Sequence, residues 1–237
     1  MMIEKVRIGT RGSKLALWQA NSVKERIEEG YSKVTVEIIT IKTTGDKIQD
    51  VALAKVGGKG LFVKEIEEAL LDRRIDVAVH SAKDVPAKLA DSLHIAAITE
   101  REDPRDVMIS GRWKNFTELP HEARVGTSSL RRQAQLLHAR PDLKMMILRG
   151  NLDTRLRKLK EDRLDAIIVA ASGVIRLGEQ QQITQYLSFD LCLPATGQGS
   201  LALECRKEDK EINEILKPLN SYNTSLAVRA ERAFLER

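Results

Sequence analysis

The sequence predicts an α/β chain organised as two related α/β domains, and three observations carry that expectation. Short apolar runs alternate with stretches of helical period along most of the 237 residues. Those runs stop abruptly in hydroxyl or charged residues, as strands do where they leave a sheet. Part of the pattern also occurs twice in the same order. Arg124-Val125-Gly126-Thr127-Ser128-Ser129 echoes Arg7-Ile8-Gly9-Thr10-Arg11-Gly12, and Arg163-Leu164-Asp165-Ala166-Ile167-Ile168-Val169-Ala170 echoes Arg74-Ile75-Asp76-Val77-Ala78-Val79.

Val6–Thr10 reads as a strand and Lys14–Glu29 as a helix, with Leu15, Leu17, Trp18, Val23 and Ile27 as its apolar residues and Ser13 as its N-cap. Free amides at that helix start, with Arg11 beside them, suit an anion. Val34–Ile41 is a second strand. Thr43–Gly60 is rich in glycine and lysine but lacks the spacing of a phosphate loop; it reads as a mobile flap or as an ordinary exposed loop. Its residues of interest are Lys55, Lys59 and, at the far end, Phe62. Leu61–Leu71 is helical by period and Leu93–Ile98 is another strand.

Two segments read as crossings between domains: the charged break Thr99–Asp106, and Leu193–Gly199, which leads into a strand at Ser200–Cys205. A helix at Glu211–Leu216 and a last one at about Thr224–Arg237 follow, the latter ending without a C-cap glycine. The expected division is residues 1–99 with 200–217 as domain 1, residues 100–199 as domain 2, and residues 218–237 as the start of a third domain that is cut short. Two crossings make a hinge, with the strand ends of both domains expected to face one cleft.

Asp76–Pro86 is the most informative stretch. An apolar run ends in His80-Ser81-Ala82-Lys83-Asp84, and Pro86 removes an amide donor, so pairing should stop there. In open α/β sheets, ligands bind beyond the carboxyl ends of the strands, which makes Asp84 the first candidate for chemistry. The competing reading is a solvated turn. In Thr127-Ser128-Ser129-Leu130-Arg131-Arg132, hydroxyl residues cap a helix whose first turn holds two arginines, although the helix dipole disfavours cations there. A bound anion would reverse that preference. Arg149 follows the run Met145–Leu148, Arg155 lies a turn beyond Asn151, and Arg176 follows a third apolar run. Arginine at successive strand exits points to carboxylate or phosphate held by two hydrogen bonds at once.

The net charge of +5 favours an anionic partner, whereas 4% aromatic content and dispersed Lys and Arg disfavour nucleic acid. A small polyanion fits better. The N-terminus lacks the apolar core of a signal peptide, and no apolar run approaches the ~20 residues of a membrane span, so a cytoplasmic protein is expected. Cys192 and Cys205 lack metal or redox spacing, and His80, His94, His121 and His138 are scattered, so no metal site is expected.

Together the motifs Gly9-Thr10-Arg11-Gly12-Ser13-Lys14-Leu15-Ala16-Leu17, Lys55-Val56-Gly57-Gly58-Lys59-Gly60-Leu61-Phe62, His80-Ser81-Ala82-Lys83-Asp84-Val85-Pro86, Gly126-Thr127-Ser128-Ser129-Leu130-Arg131-Arg132, Leu148-Arg149-Gly150-Asn151 and Leu193-Pro194-Ala195-Thr196-Gly197-Gln198-Gly199 resemble the porphobilinogen deaminase (hydroxymethylbilane synthase) family across the whole chain. The resemblance implies two domains of the type 2 periplasmic-binding-protein kind and a small third domain. It implies a transferase that condenses four porphobilinogen molecules head to tail, with loss of ammonia, into hydroxymethylbilane on a dipyrromethane cofactor; a monomer is expected. It also implies Asp84 as the catalytic carboxylate, and Arg11, Ser13, Ser81, Lys83, Thr127, Ser128, Ser129, Arg131, Arg132, Arg149, Asn151, Arg155 and Arg176 as cofactor and substrate contacts. The family's cofactor-bearing Cys is expected beyond Arg237, which leaves the activity of these residues alone open. A non-catalytic hinged anion-binding module is the alternative.

Overall fold

The computed structural model describes residues 3–44, 63–161 and 163–235. They form two compact units, Met1–Arg101 with Ser200–Arg237, and Glu102–Gly199. The first opens with β1 (Lys5–Thr10), α1 (Lys14–Gly30), β2 (Thr35–Thr40), α2 (Lys64–Leu71), β3 (Val77–Ser81) and β4 (Leu93–Ile98). The second holds β5 (Asp106–Ile109), β6 (Arg124–Gly126), α3 (Leu130–Ala139), β7 (Lys144–Met146), α4 (Leu152–Glu161), β8 (Ala166–Ala170), α5 (Ala171–Arg176) and β9 (Gln185–Tyr186). The chain then returns to the first unit with β10 (Leu201–Arg206), α6 (Lys210–Leu216) and α7 (Tyr222–Leu235).

Among the described residues each unit has one five-stranded sheet, in the orders β2-β1-β3-β10-β4 and β7-β6-β8-β5-β9. In both, the first three strands run parallel and the fourth, β10 or β5, is antiparallel to its neighbours. The two sheets therefore share one topology, and the sequence echoes fall on equivalent positions. Gly9 pairs with Ala78 as Gly126 pairs with Ile167.

The echo has a physical cause. Asp76 N donates to Arg7 O at 2.8 Å while Arg7 N donates to Asp76 Oδ2 at 3.0 Å. Asp165 N donates to Arg124 O at 2.9 Å while Arg124 N donates to Asp165 Oδ2 at 2.8 Å. In each unit one aspartate, just before a strand, thus satisfies an arginine amide on the neighbouring parallel strand. The glycines are explained alike: a Cβ on Gly9 would lie 2.3 Å from Ile75 Cδ1, and one on Gly126 2.8 Å from Leu164 Cδ1. A larger residue at either place collides with the side chain just before the aspartate.

Both faces of the first sheet are buried. Val6, Ile8, Val77, Val79 and Leu203 pack with Ala20, Val23 and Ile27 of α1 on one side, and Ala78 packs with Ile66, Ala69 and Leu70 of α2 in a separate cluster. Three features depart from the sequence reading. Asp106 belongs to a strand rather than to a charged break, because Val107, Met108 and Ile109 are all buried. The two-residue strand β9 is too short for a period to register. Arg176 ends a short helix, so it stands beyond the exit of β8 rather than at it.

Asp76 carries more than Asp165, because it also accepts from Arg206 Nη2 at 3.1 Å, and Arg206 is 4% exposed. Asp76→Ala is expected to cost about 3 kcal/mol and Asp165→Ala about 1–2 kcal/mol, since hydrogen bonds to charged groups in buried surroundings are the costlier to lose. Urea unfolding of both variants checks this; an equal or larger loss for Asp165→Ala contradicts it.

Candidate functional site

In the first unit the site grows from the end of β3. The strand stops at Ser81, and Ala82–Asp84 make a single 3-10 turn. Ala82 N donates to Ser200 O at 3.0 Å and Val85 N to Ala82 O at 3.4 Å. Buried Gln19 donates its Nε2 to Ser81 Oγ at 3.0 Å. Arg232 of α7 donates to Val85 O at 3.1 Å, Pro86 O at 2.6 Å and Ala87 O at 3.2 Å. The exposed side chains of Lys83 and Asp84 are therefore mounted on a fixed backbone. A cavity of about 90 Å³ is lined by Thr10, Arg11, Ser13, His80, Ser81 and Asp84, among others. Ser13 also caps α1, accepting from Ala16 N at 3.3 Å. Arg11, Ser13, Ser81 and Asp84 are thus brought together, as the sequence anticipates. Lys55, Lys59 and Phe62 lie outside the described residues.

In the second unit the site grows from the start of α3. Ser129 is its N-cap, accepting from Arg132 N at 3.5 Å; Thr127 Oγ1 accepts from Ser129 N at 3.2 Å, and Ser128 turns aside to donate to Leu148 O at 2.8 Å. The two arginines of the first turn converge on Asp106, Arg131 Nη2 lying 2.8 Å from Oδ2 and Arg132 Nη2 2.7 Å from Oδ1. Gln198 Nε2 donates to Oδ1 at 2.9 Å and Cys192 Sγ to Oδ2 at 3.3 Å. Burial would by itself raise the Asp106 carboxyl, but the charge and hydrogen bond of Arg132, then Arg131 and Gln198, bring it down to about 2. The anion that this helix start calls for is therefore supplied in part from within. Arg132, 5% exposed and also donating to Ile168 O at 3.1 Å, is committed to that role. The Arg131 side chain remains 25% exposed and donates to Leu193 O.

Asp106 is the site residue that sequence reasoning missed; the apolar triplet Val107-Met108-Ile109 behind it is the signal that marks it as the first residue of a strand. Arg149 is half-buried, and its buried Nε has no hydrogen-bond partner among the described residues. Asn151 Oδ1 accepts from Thr154 N at 3.0 Å and Thr154 Oγ1 at 2.8 Å, so it caps α4, while Arg155 Nε donates to Gly150 O at 2.9 Å. Arg176 Nη2 donates to Gly199 O at 2.6 Å, and burial lowers its pKa. Both cysteines are fully buried, and burial is the main cause that pushes Cys192 up to about 11 and Cys205 up to about 12. Neither is suited to carry a group as a reactive thiolate. No cluster of three metal-ligating side chains occurs among the described residues.

Because Asp106 is depressed in the folded state, its contribution is present above the ordinary aspartate pKa and is lost as pH falls through about 2. The stability gap between the wild type and Asp106→Asn is expected to narrow by about 2 kcal/mol between about pH 5 and about pH 2. Urea titrations across that range measure it, and a gap independent of pH contradicts the assignment.

Residues 6–214 match the family described as "Porphobilinogen deaminase, dipyromethane cofactor binding domain". The chain is 58% identical over 237 residues to the porphobilinogen deaminase of Geobacter sulfurreducens, covering 100% of this chain and 74% of that protein. It is 58% identical over 233 residues to that of Pelobacter propionicus, covering 98% and 75%. Among solved structures it is similar to the methionine binding protein MetQ (TM-score 0.56, 14% identity, 97% of this chain and 96% of that one) and to a periplasmic substrate-binding protein of an ABC transporter from Coxiella burnetii (TM-score 0.56, 14% identity, 97% of each). At that identity these structures show the fold alone, which is the type 2 periplasmic-binding-protein kind anticipated from the sequence. The binding-module alternative is not favoured, and the chain belongs to the porphobilinogen deaminase (hydroxymethylbilane synthase) family, transferases of tetrapyrrole biosynthesis that act on porphobilinogen.

Proposed function

We propose that Asp84 is the catalytic carboxylate, and that the cationic and hydroxyl groups of the two units hold the carboxylates of cofactor and substrate. The observation that carries this reading is the Asp84 turn itself: an exposed carboxylate on a backbone held from several sides, lining a cavity with Arg11, Ser13 and Ser81. The chemistry needs such a group. As ammonia leaves the aminomethyl carbon, the electron pair of the breaking C–N bond departs with nitrogen, and the pyrrole nitrogen lone pair delocalises the resulting positive charge. A fixed carboxylate stabilises that charge more in the transition state than in the ground state.

The donor set fits a polycarboxylated dipyrromethane, since Arg11, Lys83, Arg131, Arg149, Arg155 and Arg176 offer cationic donors and Ser13, Ser81, Thr127, Ser129 and Asn151 offer polar ones, whereas the Ser128 hydroxyl is spent on Leu148 O. The buried Nε of Arg149 supports this, because a buried N–H lacking a partner is what an incoming acceptor would satisfy. When bound, the dipyrromethane supplies the primer pyrrole from which condensation starts. Arg132 is assigned a positioning role: it holds Asp106, which in turn orients Arg131. We further propose a monomer acting in the cytoplasm; among the described residues no helix is long and apolar enough to cross a membrane.

In a chain extended past Arg237 to include the family's cofactor-bearing Cys, Asp84→Asn is expected to lower kcat for porphobilinogen by ~10²-fold or more with an unchanged melting temperature, as for loss of one preorganised charge at a site of charge development. Near-normal turnover would sink the role. Arg132→Leu is expected to lose about 3 kcal/mol of stability by leaving the buried Asp106 charge to Arg131 and its neutral partners alone. Arg149→Leu, in contrast, should unfold like the wild type yet bind pyrrole dicarboxylates ~10-fold more weakly, as expected for one charge-assisted contact. Equal stability losses in these two variants argue against the division of labour.

A further inference from the structure

The first unit contains a cluster of titratable side chains, centred on buried His80 and Glu204, that the proposed reaction does not use. His80 Nε2 lies 2.9 Å from Glu204 Oε2, with His80 6% exposed and Glu204 fully buried. Glu204 sits on β10 and His80 on β3, and the pairing of Ala202 with His80 and Glu204 with Ala78 puts both side chains on the same face of the sheet. That is the face on which Ala78 packs against α2. Glu67 of α2 approaches the same place: burial, then the charge of Glu204, pushes its carboxyl up, while His80 acts in the opposite direction. Glu67 Oε1 and Glu204 Oε1 are both buried and have no hydrogen-bond partner among the described residues. A sheet selected for stability alone would place apolar side chains at these positions.

The location of the cluster indicates what it does. His80 is followed immediately by Ser81 and the turn that bears Asp84, and it lines the same cavity as Asp84 and Arg11. Ser81 is held on the opposite face of β3 by Gln19 of α1. The last two residues of the strand are therefore gripped from both faces, by a neutral hydrogen bond on the α1 side and by a buried imidazole–carboxylate pair on the α2 side. Ala82 N donating to Ser200 O closes the arrangement at the turn itself.

We infer that His80 and Glu204 are positioning residues for Asp84, locking the end of β3 so that the Asp84 turn is fixed before substrate arrives. The charged groups around His80 are Glu204 from β10, Glu67 from α2, and Arg11 and Asp84 at the cavity wall. The inference rests on the Asp84 reading for its kinetic consequence, but not for its structural one.

Two variants separate positioning from mere stability. Glu204→Gln preserves the shape and a hydrogen-bonding partner for His80 while removing the charge. The double variant His80→Leu/Glu204→Met replaces the pair with apolar side chains, a change that buried ion pairs commonly tolerate with no loss of stability. Hydrogen exchange at the Ala82 and Val85 amides reads the turn directly: in both variants it should quicken at least ~10-fold, while amides in the β1–β2 ladder keep wild-type protection. In a chain extended past Arg237 to include the family's cofactor-bearing Cys, turnover of porphobilinogen should fall at least ~10-fold in kcat with KM within about twofold, because misplacement of a reacting group acts on the chemical step. Wild-type exchange at both amides overturns the inference whatever the kinetics. Faster exchange with unchanged kcat upholds the positioning of the turn and counts instead against Asp84 as the catalytic carboxylate.

Discussion

In each unit a single antiparallel strand enters an otherwise parallel sheet, beside β3 in the first and beside β8 in the second, and that strand carries a fully buried carboxylate: Glu204 on β10 and Asp106 on β5. A charge with no access to water must be matched by hydrogen-bonding partners or it destabilises the fold. Glu204 finds His80, one residue before Ser81, and Asp106 finds Arg131 and Arg132 in the first turn of α3. The partners are thereby drawn to fixed positions at the strand exits. Within each unit, the groups at the strand exit or helix start are arranged around its buried carboxylate.

The duplication explains why this works twice. Both sheets are assembled around the same exchange of hydrogen bonds between an arginine backbone and an aspartate, and both need a glycine where the strand passes the large side chain before that aspartate. On this shared frame the two units present different chemistry. The first offers an exposed carboxylate in a short turn; the second offers a hydroxyl-capped helix start with arginines that are partly neutralised by an internal anion. Partial neutralisation has a use: it keeps two like charges together at the positive end of a helix, where they would otherwise repel, and sets the guanidinium of Arg131 in place.

Much of this was legible in the sequence. The strand and helix order of the first unit and the Ser13 and Ser129 caps have local causes, and local causes leave patterns in sequence. Asp106 was hidden because it lies among Glu100, Arg101, Glu102, Asp103 and Arg105, where one charge looks like the next. Its burial depends on partners 25 and 26 positions away on α3 and on Gln198 beyond the second crossing. His80 was hidden for a similar reason: a lone histidine in an apolar run gives no sign of the glutamate that faces it from a strand 124 residues later. Arg132 shows the opposite case, a residue whose type and place suggest ligand contact but whose guanidinium is largely occupied within the fold.

The central claim is that the Asp84 carboxylate stabilises positive charge on a pyrrole unit. The most direct measurement compares binding of a permanently cationic pyrrole dicarboxylate with that of its neutral isostere, in the wild type and in Asp84→Asn, by calorimetry. The account predicts that the wild type prefers the cation by at least ~10-fold and that the preference disappears in the variant, because differential binding of the developing charge is the source of the rate. An equal preference in the two proteins would contradict it.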